Sequence, residues 1–176
     1  MKVIRTVRGD IAPQELGITA THEHLYCDQR LCRSTVDFPD AYGKMVLRDP
    51  NLVVAELADF YAAGGRAVAE MTTSGWGRDV AVLKDISERS GIHVIAVSGF
   101  YIEDCLPVFV DQASIEELAE ILIEEITVGA EGTNIRTGLL KSAISRPVIE
   151  GPEAKCARAI ARAQRRTGVA ITTHTS

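Results

Sequence analysis

The sequence has no apolar run long enough to cross a bilayer, and its first residues contain no apolar core of signal-peptide length. It also has no strongly basic stretch, and its net charge is -5 with a pI near 5.4. These absences argue against a membrane or nucleic acid as the main partner. With 46% apolar and 24% charged residues, the composition is that of a globular domain, for which we expect a cytoplasmic location.

Cysteine is too sparse and too irregularly spaced to define a site. The four cysteines form neither a CxxC pair nor a zinc-finger spacing. We therefore expect reduced and mostly buried thiols, as in cytosolic enzymes. Their even number leaves a disulfide open, although nothing in the sequence supports one. The four are Cys27, Cys32, Cys105 and Cys156.

Helices with recognisable first residues alternate with short apolar segments along the chain. The apolar segments have strand length and are apolar on both faces, which favours a parallel sheet that is covered on both sides. We predict helices that begin at the capping or first-turn residues Asp49, Asp79, Ser114 and Pro152. We predict strands at residues 18–21, 67–71, 93–97, 137–141 and 169–173.

Two architectures fit this alternation, an open doubly wound sheet and a (β/α)8 TIM barrel. An open sheet that binds dinucleotides should carry a glycine-rich motif after its first strand. Here residues 21–25 follow that strand and contain no glycine, which favours the barrel. Such barrels take roughly 250 residues, so we expect residues 1–176 to form one domain, a barrel truncated after its fifth strand. The segment before the first strand could form a small hairpin that plugs one end.

Three of the four histidines lie at predicted strand ends on the face where barrel enzymes place their active sites. His22 and His24 are two residues apart on a strand, so both side chains point to the same side. Two imidazoles at one strand end suit a divalent ion such as zinc. His174, at the end of the fifth strand, would face the same mouth, whereas His93 begins the third strand at the opposite end and is interpreted as structural.

Lys141 ends an otherwise apolar predicted strand. A lysine in this position ordinarily either extends towards solvent or pairs with a carboxylate. In a metal site a third role is open, because burial lowers the amine pKa and a neutral amine can take up carbon dioxide. The resulting carbamate would bridge two metal ions as a carboxylate does.

Five segments, in order along the chain, resemble the phosphotriesterase family of the amidohydrolase superfamily. Residues 17–24 resemble its G-x-T-x-x-H-E-H motif, residues 136–141 the segment with a carboxylated lysine, and residues 168–175 the segment with a third histidine. The lead-in at residues 6–11 and the loop at residues 77–79 also match. Residues 70–72 are more similar to the phosphotriesterase homology proteins than to the phosphotriesterase-like lactonases, and the subfamily stays open.

The resemblance implies a zinc-dependent hydrolase of ester bonds, in lactones or organophosphate triesters, with two divalent metal ions and a hydroxide between them as nucleophile. His22 and His24 would bind the more buried metal, and His174 the more exposed one. Lys141 would bridge the two ions through a carbamate derived from CO2. The family also takes a histidine from its sixth barrel strand and an aspartate from its eighth, and the present sequence ends before either.

Two alternatives follow from those missing ligands. The chain is either the N-terminal part of such an enzyme or a non-catalytic, metal-binding remnant of one. A homodimer is possible, because the family often forms dimers and an open barrel would need a partner.

Aromatic residues near the predicted site bear on the substrate. Tyr101, after the third strand, lies where a tyrosine contacts the lactone in the phosphotriesterase-like lactonases, so the resemblance gives it a catalytic role; plain loop packing is the alternative. Trp76 is interpreted as a packing anchor rather than a pocket residue. Asp79 is interpreted as an N-cap, while Arg78 could shape the site.

Overall fold

A computed structural model describes residues 2–32, 45–145 and 147–175. Its centre is a sheet of five parallel strands in the order β3-β6-β7-β8-β9, joined by helices. The strands are β1 (Ile4–Thr6), β2 (Gly9–Ile11), β3 (Ile18–Glu23), β4 (Cys27–Asp28), β5 (Val46–Leu47), β6 (Gly65–Glu70), β7 (His93–Gly99), β8 (Leu139–Ile144) and β9 (Ile171–Thr175). The α-helices are α1 (Pro50–Ala62), α2 (Val80–Ser90), α3 (Phe109–Gln112), α4 (Ile115–Thr127) and α5 (Gly151–Thr167).

The helices begin where the sequence places capping side chains. The carboxylates of Asp49 and Asp79 each accept two hydrogen bonds from backbone N–H groups in the first turn of α1 and α2. Ser114 and Glu117 form a reciprocal capping box at α4. Both α2 and α5 end at a glycine with positive φ. All four predicted long helices are therefore present, and α5 begins one residue before Pro152.

A short antiparallel hairpin of β1 and β2 covers the N-terminal end of the parallel strands. The backbone N–H of Val7 donates to Val94 O over 2.9 Å, and Val7 is buried. Gly138 lies so close to the hairpin that a Cβ there would be 2.3 Å from Arg5 O. The predicted hairpin is confirmed at this end of the sheet.

The two faces of the sheet contact different surroundings. One face packs against helices: Val68 and Val94 contact α1 and α2, and Leu140 contacts α4 and α5. The other face carries a small cluster of Ala69, Met71, Val97 and Leu139, which alternate along their strands with the helix-facing residues. This second face corresponds to the interior of a barrel.

The five parallel strands and their helices form a half-barrel, as predicted for a truncated TIM barrel. β3 and β9 are the two edges, and each pairs with one neighbour among the described strands. Two strands extend beyond their predicted ends, so that Lys141 lies inside β8 and His174 inside β9. In the described part of the chain, no helix is both long and apolar enough to cross a bilayer.

The cysteines depart in part from expectation. Cys27 and Cys156 are free and buried, as predicted, but Cys32 and Cys105 form a disulfide across 73 residues of chain. The expectation of four reduced thiols is wrong for that pair. The fold brings two distant loops together beside Trp76, and spacing in the sequence contains no trace of this contact.

Candidate metal centre

A β-bulge in β3 directs the first two histidines into the half-barrel. Ala20 pairs with Val68 and Glu23 with Glu70, so three steps along β3 match two along β6. Ala20 packs on the helix side of the sheet. Regular alternation from Ala20 would turn His22 towards the helices as well, and the extra residue turns it to the interior instead.

Lys141 lies at the centre of the candidate site. Its side chain is only 1% exposed, and its Nζ is 3.4 Å from His22 Nε2. Burial lowers the Lys141 pKa to about 8, although the Glu70 carboxylate opposes the shift. The amine is therefore neutral far more often than that of an exposed lysine. Its ammonium form would also repel a metal cation, so only a modified or neutral Lys141 suits a metal site.

His24 is held by a chain of polar groups from β6 and the loop that follows it. Its Nδ1 is 2.9 Å from Thr72 Oγ1, and that hydroxyl is 2.5 Å from Glu70 Oε1. The Glu70 and Thr72 side chains are fully buried. The rings of Trp76 and His24 form a T-shaped pair, with centroids 4.5 Å apart.

His174 reaches the same region from β9. Its Nε2 is 3.3 Å from the Tyr101 hydroxyl, and the two rings meet edge to face with centroids 4.9 Å apart. Tyr101 in turn stacks on Trp76 at a centroid distance of 4.9 Å. Trp76 is thus both a packing residue and a wall of the site, since its ring contacts both His24 and Tyr101.

The electrostatics favour neutral imidazoles. Burial, reinforced by the charge of Lys141, lowers the pKa of His22 and His174 and brings that of His24 to about 4. All three rings are therefore uncharged near neutral pH and can offer a nitrogen lone pair. Neutral imidazoles are the form that binds zinc.

The donor set fits divalent metal ions on one condition. Within residues 2–32, 45–145 and 147–175, no three His, Cys, Asp or Glu side chains are arranged to hold a metal by themselves. Three imidazoles and the Lys141 amine nevertheless meet at one mouth, and a carbamate on Lys141 would add the missing oxygen ligands. With that change, the nitrogen and oxygen donors match the ligands that zinc prefers.

The structure places the five predicted site residues at one mouth and the fourth histidine elsewhere. His22, His24, Lys141, Tyr101 and His174 all lie at this mouth. His93, at the start of β7, contacts Arg8 at the opposite end of the sheet, and is structural as expected.

Arg78 has a structural role that the sequence did not specify. Its guanidinium is buried and forms ion pairs with Glu125 at 2.6 Å and Glu131 at 2.7 Å. Burial opposes this charge, but the two carboxylates more than offset the effect and raise the Arg78 pKa. Because Arg78 also donates to Val97 O, it ties the loop after β6 to α4 and β7.

Glu70 and Thr72 were not predicted as part of the site. In the sequence, the feature that could have identified Glu70 is a carboxylate at the end of a largely apolar strand. In the structure this strand is β6, which is six residues long. Burial raises the Glu70 pKa to about 7, against three hydrogen bonds that lower it.

Fold and site together define a class: a parallel α/β barrel protein with imidazoles and a buried lysine at the carboxyl ends of its strands. A sequence model of the phosphotriesterase family matches residues 2–176. The N-acetyltaurine hydrolase of Rattus norvegicus is 33% identical over 195 residues, covering 97% of this chain and 56% of the relative. The chain therefore belongs to the phosphotriesterase family.

Solved structures agree with this assignment. A lactonase from Listeria monocytogenes aligns with a TM-score of 0.89 at 28% identity, covering 99% of this chain and 57% of that one. The phosphotriesterase homology protein of Escherichia coli, complexed with phosphate in its active site, aligns with a TM-score of 0.83 at 32% identity. The alignment covers 92% of this chain and 54% of that one. The present chain spans about half the length of these relatives.

Proposed function

We propose that the chain contributes the metal-binding half of a hydrolase. His22, His24 and His174 would hold two divalent metal ions, most suitably Zn²⁺, together with a carbamate on Lys141. The observation that carries this proposal is the convergence of three neutral imidazoles and one buried amine of lowered pKa at the carboxyl ends of β3, β8 and β9.

The carbamate follows from the state of Lys141. With a pKa of about 8, roughly one Lys141 amine in ten is neutral at pH 7, compared with roughly one in 3,000 for an ordinary lysine. The neutral Nζ would attack the carbon of CO2, so that a C–N bond forms while one C=O π bond opens and its electron pair passes to oxygen, and the proton lost from nitrogen passes to solvent. The product is an anion, which removes the repulsion between an ammonium group and a metal cation.

Bound zinc would lower the pKa of water to about 7 and polarise a carbonyl or phosphoryl oxygen. The protein's own residues would orient the substrate. The Tyr101 hydroxyl lies beside His174 Nε2, and a metal at that nitrogen would compete with this contact and free the hydroxyl for a substrate oxygen. Trp76, stacked on Tyr101, would provide an apolar wall for the acyl or alkyl part of the substrate.

The substrate class we propose is an ester, either a lactone or an organophosphate triester. The lactonase from Listeria monocytogenes supports a cyclic ester. A second candidate is an N-acyl amide, because the curated relatives include N-acetyltaurine hydrolases at 30–33% identity. All three substrates share an electrophilic carbon or phosphorus whose oxygen gains negative charge during attack.

Metal stoichiometry tests the site directly. The purified chain should bind up to two zinc ions after dialysis against zinc and bicarbonate, measured by elemental analysis. His22→Ala should lose zinc, whereas His93→Ala should not, because His93 lies at the opposite end of the sheet. Zinc binding that is absent in the wild type, or equal in His22→Ala, would refute the metal site.

Hydrolysis of a lactone, a phosphotriester and N-acetyltaurine distinguishes the substrate candidates. Lys141→Ala should abolish turnover, and a short carboxylic acid added in trans should restore part of it. Zinc binding without any turnover favours the metal-binding remnant. A coding sequence that continues through a histidine after the sixth barrel strand and an aspartate after the eighth favours the enzyme.

A further inference from the structure

A buried chain of three polar groups connects β6 to the candidate metal centre. Glu70 Oε1 contacts Thr72 Oγ1 at 2.5 Å, and Thr72 Oγ1 contacts His24 Nδ1 at 2.9 Å. Glu70 and Thr72 are each 0% exposed. Because no solvent reaches the first two groups, their hydrogen bonds have a fixed direction once one donor is known.

The hydrogen bonds to Glu70 determine which group in this chain donates and which accepts. Its Oε1 accepts from the backbone N–H of Leu25 at 3.2 Å, and its Oε2 accepts from that of Thr72 at 3.1 Å. A carboxylate that receives backbone donors on both oxygens acts as an acceptor. The Thr72 hydroxyl has one proton and donates it to Glu70, so the same oxygen can only accept from His24 Nδ1.

We infer that Glu70 and Thr72 hold His24 in the tautomer with its proton on Nδ1, which leaves the Nε2 lone pair free as a metal ligand. Thr72 is thus a positioning residue that acts through His24. Metal-binding histidines are commonly oriented in this way by a partner on the other ring nitrogen. The ligand role of Nε2 rests on the proposed function, whereas the tautomer itself does not.

Nuclear magnetic resonance of the ¹⁵N-labelled, metal-free chain measures the tautomer of His24. The spectra are recorded at about pH 8, which lies above the ordinary pKa of both an imidazole and a carboxyl group. Long-range ¹⁵N–¹H correlations should show a protonated Nδ1 and an unprotonated Nε2. A His24 that carries its proton on Nε2 in the wild type would overturn the inference.

Variants at two adjacent threonines provide a matched comparison. Thr72→Val keeps the shape and removes the hydroxyl, so the Nε2–H tautomer should gain population and zinc affinity should fall by about 10- to 100-fold. Thr72→Ser should restore both. Thr73→Val is the control, because Thr73 is equally buried and its hydroxyl has no hydrogen-bond partner among the described residues.

The two readouts separate this inference from the proposed function. An Nδ1–H tautomer that is lost only in Thr72→Val supports the inference even if no zinc binds, in which case the metal site alone is wrong. A tautomer that is unchanged in Thr72→Val, or changed equally in Thr73→Val, refutes the positioning role whether or not zinc binds.

Discussion

Replacing Lys141 by methionine should stabilise the metal-free protein while destroying the metal site. The Lys141 side chain is 1% exposed and its pKa falls from 10.5 to about 8 on burial. One pKa unit corresponds to about 1.4 kcal/mol, so the protonated amine costs about 3 kcal/mol of folding free energy at pH 7. Methionine has a similar length without the charge and should recover most of this amount.

The pH dependence has a definite sign. Between pH 8 and 10.5 the unfolded lysine is protonated more than the folded one, so the wild type gains stability with rising pH in this window. Below pH 8 both states are protonated and the full cost is present. The advantage of Lys141→Met should therefore be about 3 kcal/mol at pH 7 and should shrink towards zero near pH 10.5.

Urea denaturation in CO2-free, metal-free buffer measures this difference, followed by the fluorescence of Trp76, the sole tryptophan. Other groups that titrate in the same range are common to both proteins and cancel in the difference. A Lys141→Met protein that is less stable than the wild type at pH 7 would refute the reasoning. A difference that does not change between pH 7 and 10.5 would refute it equally.

Three further changes test the rest of the structure. Converting Cys32 and Cys105 to serine should lower the free energy of unfolding by about 4 kcal/mol for a loop of 73 residues, and a reductant should then have no further effect in urea unfolding. Arg78→Met leaves two carboxylates without their cation and should cost about 3–5 kcal/mol, whereas Arg89→Met, at an exposed pair, should cost under about 1 kcal/mol in the same assay. Tyr101→Phe should reduce turnover more than zinc stoichiometry, measured by steady-state kinetics and elemental analysis; equal losses in both would contradict a substrate-binding role.

Much of the fold is local and was predictable. Caps such as Asp49 and Asp79 act within one helical turn, so the sequence alone places those helix ends. The five parallel strands were recognisable because each is short and largely apolar, and because helices alternate with them along the chain. Strand ends were less certain: β8 and β9 extend past Lys141 and His174, because polar residues at a site mouth interrupt the apolar pattern while the backbone pairing continues.

Contacts between distant segments of the chain could not be predicted from local sequence patterns. The Cys32–Cys105 disulfide and the Arg78 ion pairs join segments that approach only after the chain has folded. The bulge in β3 that turns His22 to the interior contains no glycine or proline from which it could have been predicted. The ligand candidates themselves were found because histidine spacing and strand position are both visible in sequence.

Curvature of the sheet brings residues from separate strands close together. β3 and β8 are separated by two strands, a distance of about 14 Å across a flat sheet at about 4.8 Å per step. Yet His22 Nε2 and Lys141 Nζ are 3.4 Å apart, and both project from the same face. The strands must therefore curl towards each other on that face, as they do in a barrel wall. The contact between His22 and Lys141 is thus evidence for the barrel geometry, because side chains that stand roughly perpendicular to a flat sheet with the same strand order would not reach each other.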